Sequence, residues 1–262
     1  MNRHAVTNRF QAPAAAALLA SLLLPVADEA AASAPDAFPP AVIVAAETVL
    51  EGPDGNSLLR WPVAIGSADD PAVEAINTAL SYEAVAGEAL GQTVANYAGT
   101  GRGIMASDFR IECDEGGILS LTISTEFYGA YPSTSLRHMN FDLVTGNLLE
   151  PADIFRGNRL QPLASMLDDS LRTRVEEAIA SSLFEGGGID PAIYSGCIFT
   201  SADLAEFTIT PDCVVFHYDA GFPHAIEAAE PDGDIALGYP VLAPFIIPGG
   251  PLENLAGRGE DI

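Results

Sequence analysis

The stretch from Leu119 to Phe155, LSLTISTEFYGAYPSTSLRHMNFDLVTGNLLEPADIF, limits the fold more than any other part of the chain. Leu121, Ile123, Thr125 and Phe127 alternate with Thr122, Ser124 and Glu126. Successive side chains of a strand point to opposite faces, so a period of two predicts a strand with one buried face. After FYGAYPS, Met139, Phe141 and Leu143 alternate with Asn140 and Asp142 up to Thr145-Gly146-Asn147, which predicts a second strand ending in a hairpin turn. Leu148-Leu149 and Pro151-Ala152-Asp153-Ile154-Phe155 then lead from sheet to helix.

The rest of the chain supplies more strands and two helices. Ala41–Leu50 and Leu58–Ile65 read as strands around the turn Glu51–Asn56, with Pro62 arguing for an edge or a bulge in the second. Asp70-Pro71 is a helix start, with Asp as N-cap and Pro in the first turn. From there Val73, Ile76, Leu80, Val85, Leu90, Val94 and Tyr97 keep a helical stripe that Gly87 and Gly91 weaken. Phe109, Ile111 and Cys113 alternate, and Asp114–Gly117 turns this strand into the one at Leu119. Leu160, Leu163, Leu167, Leu171, Val175 and Ile179 form one apolar stripe on a helix running to about Leu183, ended by Glu185–Gly188. Phe207–Thr210 and Val214–Tyr218 flank Pro211-Asp212 as a hairpin, and Ile235–Phe245 reads as a closing strand. The fold class this predicts is α+β, with antiparallel β-sheet packed by two main helices.

Composition narrows the setting. Arg3 and Arg9, the apolar run Ala14–Leu24 and the small residues up to Ala34 match a secretory signal peptide over 1–34, with Ala27 as an alternative cleavage point. The run is short for the roughly 20 residues that span a bilayer, so an uncleaved anchor helix is the lesser alternative. A periplasmic or secreted protein is therefore expected. Lys is absent, and removing residues 1–34 leaves 9 Arg against 34 acids, a net charge of −25. Such a field repels nucleic acid and anionic membrane and attracts cationic partners; solubility or a saline habitat would favour the same balance. Cys113, Cys197 and Cys213 in an oxidising compartment allow one disulfide, and the short loop between Cys197 and Cys213 favours that pair. There is no C-x-x-C, H-x-x-x-H or H-E-x-x-H, so no metal or cofactor site is expected. His138 and His217 fall on strands and can meet on one face. G-x-S-x-G is missing, and no two carboxylates are marked out as a glycosidase pair.

The order strand, Gly-Ala-aromatic-Pro loop, strand ending Phe141-Asp142-Leu143-Val144-Thr145-Gly146, then Asp153-Ile154-Phe155, resembles the RsiV-like extracellular domain family. That module serves the lysozyme-sensing anti-sigma factor RsiV and precedes the catalytic domain of the peptidoglycan deacetylase PdaC. Upstream, Trp61-Pro62 and the helix positions Ile76, Asn77 and Leu80 extend the resemblance, which covers residues 58–246. It divides the chain into a signal peptide (1–34), an N-terminal PdaC-like subdomain (41–118), an RsiV-like domain (119–246) and a flexible tail (247–262). Relatives have Y-x-G-G-A-H-P where this chain has Tyr128-Gly129-Ala130-Tyr131-Pro132: one Gly fewer, and Tyr131 in place of His. Cys213 likewise replaces a turn Gly. The deacetylase motif T-F-D-D-G is lacking, so the resemblance implies a non-catalytic binding protein for lysozyme or a cell-wall glycan, with Tyr128–Pro132 as its candidate binding loop. Two tyrosines on that loop could stack on a sugar or enter a partner's cleft; equally, Gly129 and Pro132 could set a bulged turn. The competing expectation is a cell-wall glycan-modifying enzyme using clustered carboxylates.

Overall fold

The computed structural model describes residues 41–67, 69–184 and 190–257, all within the unit Phe38–Ile262. The signal-peptide segment and the glycine-rich helix end at 185–188 lie outside the described residues.

The alternating stretches form a five-stranded sheet in the order β1-β2-β3-β4-β5, built from Val42–Gly52, Gly55–Ile65, Gly103–Glu115, Ile118–Tyr128 and Pro132–Asp142. All neighbours are antiparallel except β2 and β3, which touch in parallel at the single pair Leu59–Ser107. That brief contact explains Pro62. Its missing N–H faces away from β1, where the strand has no sheet partner, and two residues on Asn77 takes over. The Asn77 side chain accepts from Ala64 N and donates to Ala64 O, both at 2.8 Å, closing the edge as a neighbouring strand would.

Asp70 caps α1 (Pro71–Ala79) as expected, accepting from Ala72 N at 2.9 Å. The helical stripe beyond it is broken into three pieces, with α2 (Tyr82–Ala86) and α3 (Leu90–Thr100) following. Ser81 caps α2 through its side chain, and Gly87 ends it in the left-handed region at φ +74°. Gly91 sits inside α3 and breaks nothing. Ile76 and Leu80 bury against Leu121, Ile123, Met139 and Phe141 on one face of the large sheet.

The other face is covered at one end. Ile118, Leu119, Ser120 and Leu121 are all buried in succession, whereas Phe127 is 47% exposed, so the alternation of β4 (Ile118–Tyr128) holds only where a single face is covered. A second, three-stranded sheet supplies the cover: β6 (Phe207–Ile209), β7 (Cys213–His217) and β8 (Asp234–Gly238). After α4 (Pro151–Ile154), the long helix α5 (Leu160–Phe184) packs Leu163, Leu167 and Leu171 into the same core as Phe207, Val214 and Phe216. The large sheet runs without interruption through residues 118 and 119, where the sequence reading divides the chain.

Two further segments differ from expectation. Ile235–Phe245 is not one strand: β8 stops at Gly238, and Pro240, with fixed φ and no N–H, sits in the first turn of α6 (Tyr239–Leu242). Residues 247–257, expected in a flexible polar tail, carry the short helix α7 (Glu253–Ala256) and bury Leu252 and Leu255 in the core of the small sheet.

Candidate functional site

Side chains of β5 alternate between the two faces, which puts Thr134, Leu136, His138 and Asn140 on the side of the second sheet. His138 meets His217 of β7 there, ring on ring, with centroids 3.8 Å apart and planes 9° from parallel. Strand parity allowed these two histidines to meet on one face; the packing of the second sheet on the first is what stacks them.

Each ring is held through its nitrogens. His217 Nδ1 lies 2.7 Å from Asp234 Oδ1 on β8, its register partner, and Nε2 lies 3.0 Å from Thr208 Oγ1 on β6. His138 Nδ1 lies 3.1 Å from Thr122 Oγ1, which donates to Glu112 Oε1 at 3.0 Å. The Thr122 hydroxyl has one proton and an ionised Glu112 can only accept, so neutral His138 carries its proton on Nδ1. Arg110 Nη2 holds Glu112 at 2.7 Å. Burial, then the neighbouring His217 ring, pushes the pKa of His138 down to about 4.

The stacked pair opens onto a groove of about 940 Å³ between β5, the small sheet and the segment 218–234. Asp203, Glu206, Asp219, Glu227, Glu230 and Asp234 all line it, and no Arg does. Their bonds within the protein are to amides, hydroxyls and histidines. Asp203 Oδ2 accepts from Thr200 N and Oγ1 at 2.6 and 2.7 Å. Asp219 and Glu230 share Gly221 N at 2.6 and 3.1 Å, and Glu227 meets His224 Nδ1 at 2.8 Å. Among the described residues no Arg forms an ion pair with any of these six carboxylates, and their ionic partners within the chain are His217 and His224 alone. Those residues hold no cluster of three or more His, Cys, Asp or Glu disposed to bind a metal ion.

A second cavity of about 620 Å³ adjoins the first, sharing Thr134, Phe222 and Glu227. Gly129, Ala130, Tyr131 and Pro132 of the expected binding loop line it. Tyr131 is 69% exposed, its ring 5.8 Å from that of His224. Tyr128 is turned elsewhere, with the Arg102 guanidinium 5.8 Å above its ring. Tyr128 and Pro132 pair in regular register, so a three-residue loop and no bulge joins β4 to β5.

The expected Cys197–Cys213 disulfide is not formed, and no disulfide joins any of the three cysteines. Cys213 opens β7, with Sγ 3.2 Å from Thr210 Oγ1, whereas Cys197 adjoins Tyr218 at the far end, where Tyr218 Oη accepts from Ile198 N at 3.1 Å. Five strand residues span about 17 Å, and a disulfide needs Cα atoms within about 7 Å.

The carboxylates of the groove were missed by sequence reasoning, which found nothing to mark any two of them out. One signal was available: residues 175–257 contain thirteen acids and not one Arg or Lys.

No protein-family model and no curated protein matches the chain. Solved structures do. A DUF3298 family protein from Pseudomonas aeruginosa PAO1 is 17% identical, with a TM-score of 0.50 over 84% of this chain and 97% of that one. A DUF3298 member from Bacteroides fragilis is 15% identical, with a TM-score of 0.51 over 79% of this chain and 93% of that one. At these identities the likeness concerns the fold: the chain carries the α+β fold of the DUF3298 proteins, a domain of unknown function.

Proposed function

We propose that this chain is a secreted or periplasmic, non-catalytic binding protein of the RsiV-like kind, and that its acidic groove captures a cationic protein such as lysozyme. One observation carries the reading: six carboxylates converge on a groove with no Arg among its lining residues. Charge of one sign focused in a concave surface raises the encounter rate of oppositely charged partners and repels others. Tyr131, exposed at the adjoining cavity, supplies an aromatic contact of the sort that anchors interfaces. The signal-peptide pattern at residues 1–34 fits the location such a partner requires.

The test is calorimetric titration of lysozyme at physiological salt, with an unrelated protein of similar negative charge beside it and Tyr131→Ala beside the wild type. Specific binding predicts tighter association than the acidic control and a measurable loss in the variant. Equal affinity for both proteins removes lysozyme as the partner.

A second reading, a cell-wall glycan-modifying enzyme, draws on the stacked His138–His217 pair beside Asp234 in the same groove. It requires product release from purified peptidoglycan that disappears in Asp234→Asn.

A further inference from the structure

β5 is an outer strand of the large sheet, and β4 occupies only one of its two edges. Along an antiparallel strand the backbone groups point alternately towards the partner and away from it. The phase is fixed at the end of β5, where Asn140 O accepts from Leu149 N at 2.8 Å and Asp142 N donates to Asn147 O at 3.0 Å, both outside the β4 ladder. Counting back by twos, Thr134, Leu136 and His138 also turn their N–H and C=O groups away from β4.

The segment 147–149 covers the edge from Asn140 onwards, with Phe141 and Leu148 in an isolated bridge. Ahead of it the edge is open. Among the described residues no hydrogen-bond partner meets the outward backbone groups of Thr134, Leu136 or His138. Residues 132–137 are exposed, Leu136 at 58%. The same three residues form one wall of the acidic groove. An unpaired edge is a template for another strand, and no bulge interrupts this one; its one charged residue, Arg137, turns to the opposite face of the sheet, where it donates to Ala84 O and Val85 O. The opposite outer strand, β1, borders neither the groove nor the cavity beside it.

We infer that Thr134–His138 is a docking edge for an extended, Lys/Arg-rich peptide segment, which adds as a strand beside β5 and directs alternate side chains into the groove. The inference rests on the groove being a cation-binding surface, and it specifies how the cationic partner is held. Main-chain bonds to the open edge supply affinity without regard to sequence, and alternate side chains supply selectivity. Glu206, Glu230 and Asp234 face the groove side of the added strand, so basic residues are selected at every second position. Leu136 offers the added strand an apolar contact on that face.

The experiment titrates the full chain at physiological salt with an acetylated, amidated octapeptide of alternating Lys and Thr. Two further probes are the same peptide N-methylated at every Lys or at every Thr. Each keeps the charge, and one of them must place its methyl groups against β5. The expected result is binding of the parent peptide, with at least tenfold weaker binding of one N-methylated form. Leu136→Pro, which removes an outward N–H without touching the β4 ladder, should weaken the parent peptide comparably. If both methylated probes bind within twofold of the parent, and Glu206→Gln with Glu230→Gln weakens all three alike, strand addition is overturned and the acidic groove stands. If the parent peptide binds no better than one of alternating Gln and Thr, both readings fall. Sedimentation of the chain alone as a dimer that Leu136→Pro dissociates would make a second copy the occupant and would also overturn the proposal.

Discussion

Acidification should weaken the fold through His138, by an amount the stacked pair sets. In the unfolded chain this imidazole takes up a proton near 6.5; in the folded chain, packed on His217 and half-buried, it does so only near 4. Between those values the unfolded state holds the extra proton, so stability falls as pH drops through this window and levels off below it. The displacement is about 2.5 on the pH scale, which at about 1.4 kcal/mol per unit is about 3.4 kcal/mol. Water reaches the groove side of the ring, and screening reduces this to about 1 to 2 kcal/mol. Arg110 opposes protonation, while Asp234 and Glu112 favour it. The perturbation is His138→Phe, which keeps an aromatic ring against His217 and cannot titrate. Urea unfolding at pH 7 and at pH 4.5 isolates the contribution, because every other ionising group is common to both proteins. Wild type should lose about 1 to 2 kcal/mol more than the variant over this interval. Equal losses would refute the argument that the folded state keeps His138 neutral.

Other perturbations test the frame around the groove. Gly146 sits at φ +74°, and a Cβ there would collide with the backbone carbonyl of Ala72, so Gly146→Ala should cost about 2 kcal/mol or more in chemical denaturation. Leu167 is fully buried where α5 meets the small sheet, and Leu167→Ala should cost about 2 to 5 kcal/mol in the same assay. Asn77→Ala strips both backbone groups of Ala64 of their partner, with an expected loss of about 1 to 3 kcal/mol, whereas Asn77→Asp should leave the N–H satisfied and the carbonyl not. Tyr131→Ala should leave the thermal midpoint nearly unchanged, the ring being exposed, and act only on ligand binding.

Local patterns were legible wherever a residue's role depends on near neighbours. The alternation at Leu121 and Ile123, the Asp70-Pro71 cap and the stripe from Leu163 to Leu171 each report a short-range constraint, and each appears in the structure. Ser120 and Asn140 were not legible as core. Both are buried only because β6 crosses that end of the large sheet, where Ser120 Oγ accepts from Ile209 N at 3.0 Å and Asn140 Nδ2 donates to Phe207 O at 2.8 Å. The candidate site divides the same way. Tyr131 stood out by its departure from a motif, and strand parity allowed His138 and His217 to share a face, while their stacking depends on the second sheet packing there. Asp203 and Glu206 lie at the two ends of one short helical turn and Glu230 on a distant segment, which only the small sheet gathers, and a chain this acidic conceals them among its other carboxylates.

The central claim is that the groove, and not the overall charge, attracts the cationic partner. It is tested most directly by comparing two triple variants of equal charge change in one lysozyme titration at physiological salt. Glu206→Gln, Glu227→Gln and Glu230→Gln neutralise the groove; Glu51→Gln, Glu83→Gln and Glu176→Gln neutralise exposed acids outside it. At about 0.5 to 1 kcal/mol for each contacting charge, the groove variant should bind about tenfold to a hundredfold more weakly. The distal variant should stay within twofold of wild type, because charges beyond about 8 Å are screened. Equal weakening by the two would mean that net charge alone attracts the ligand, and would contradict the account.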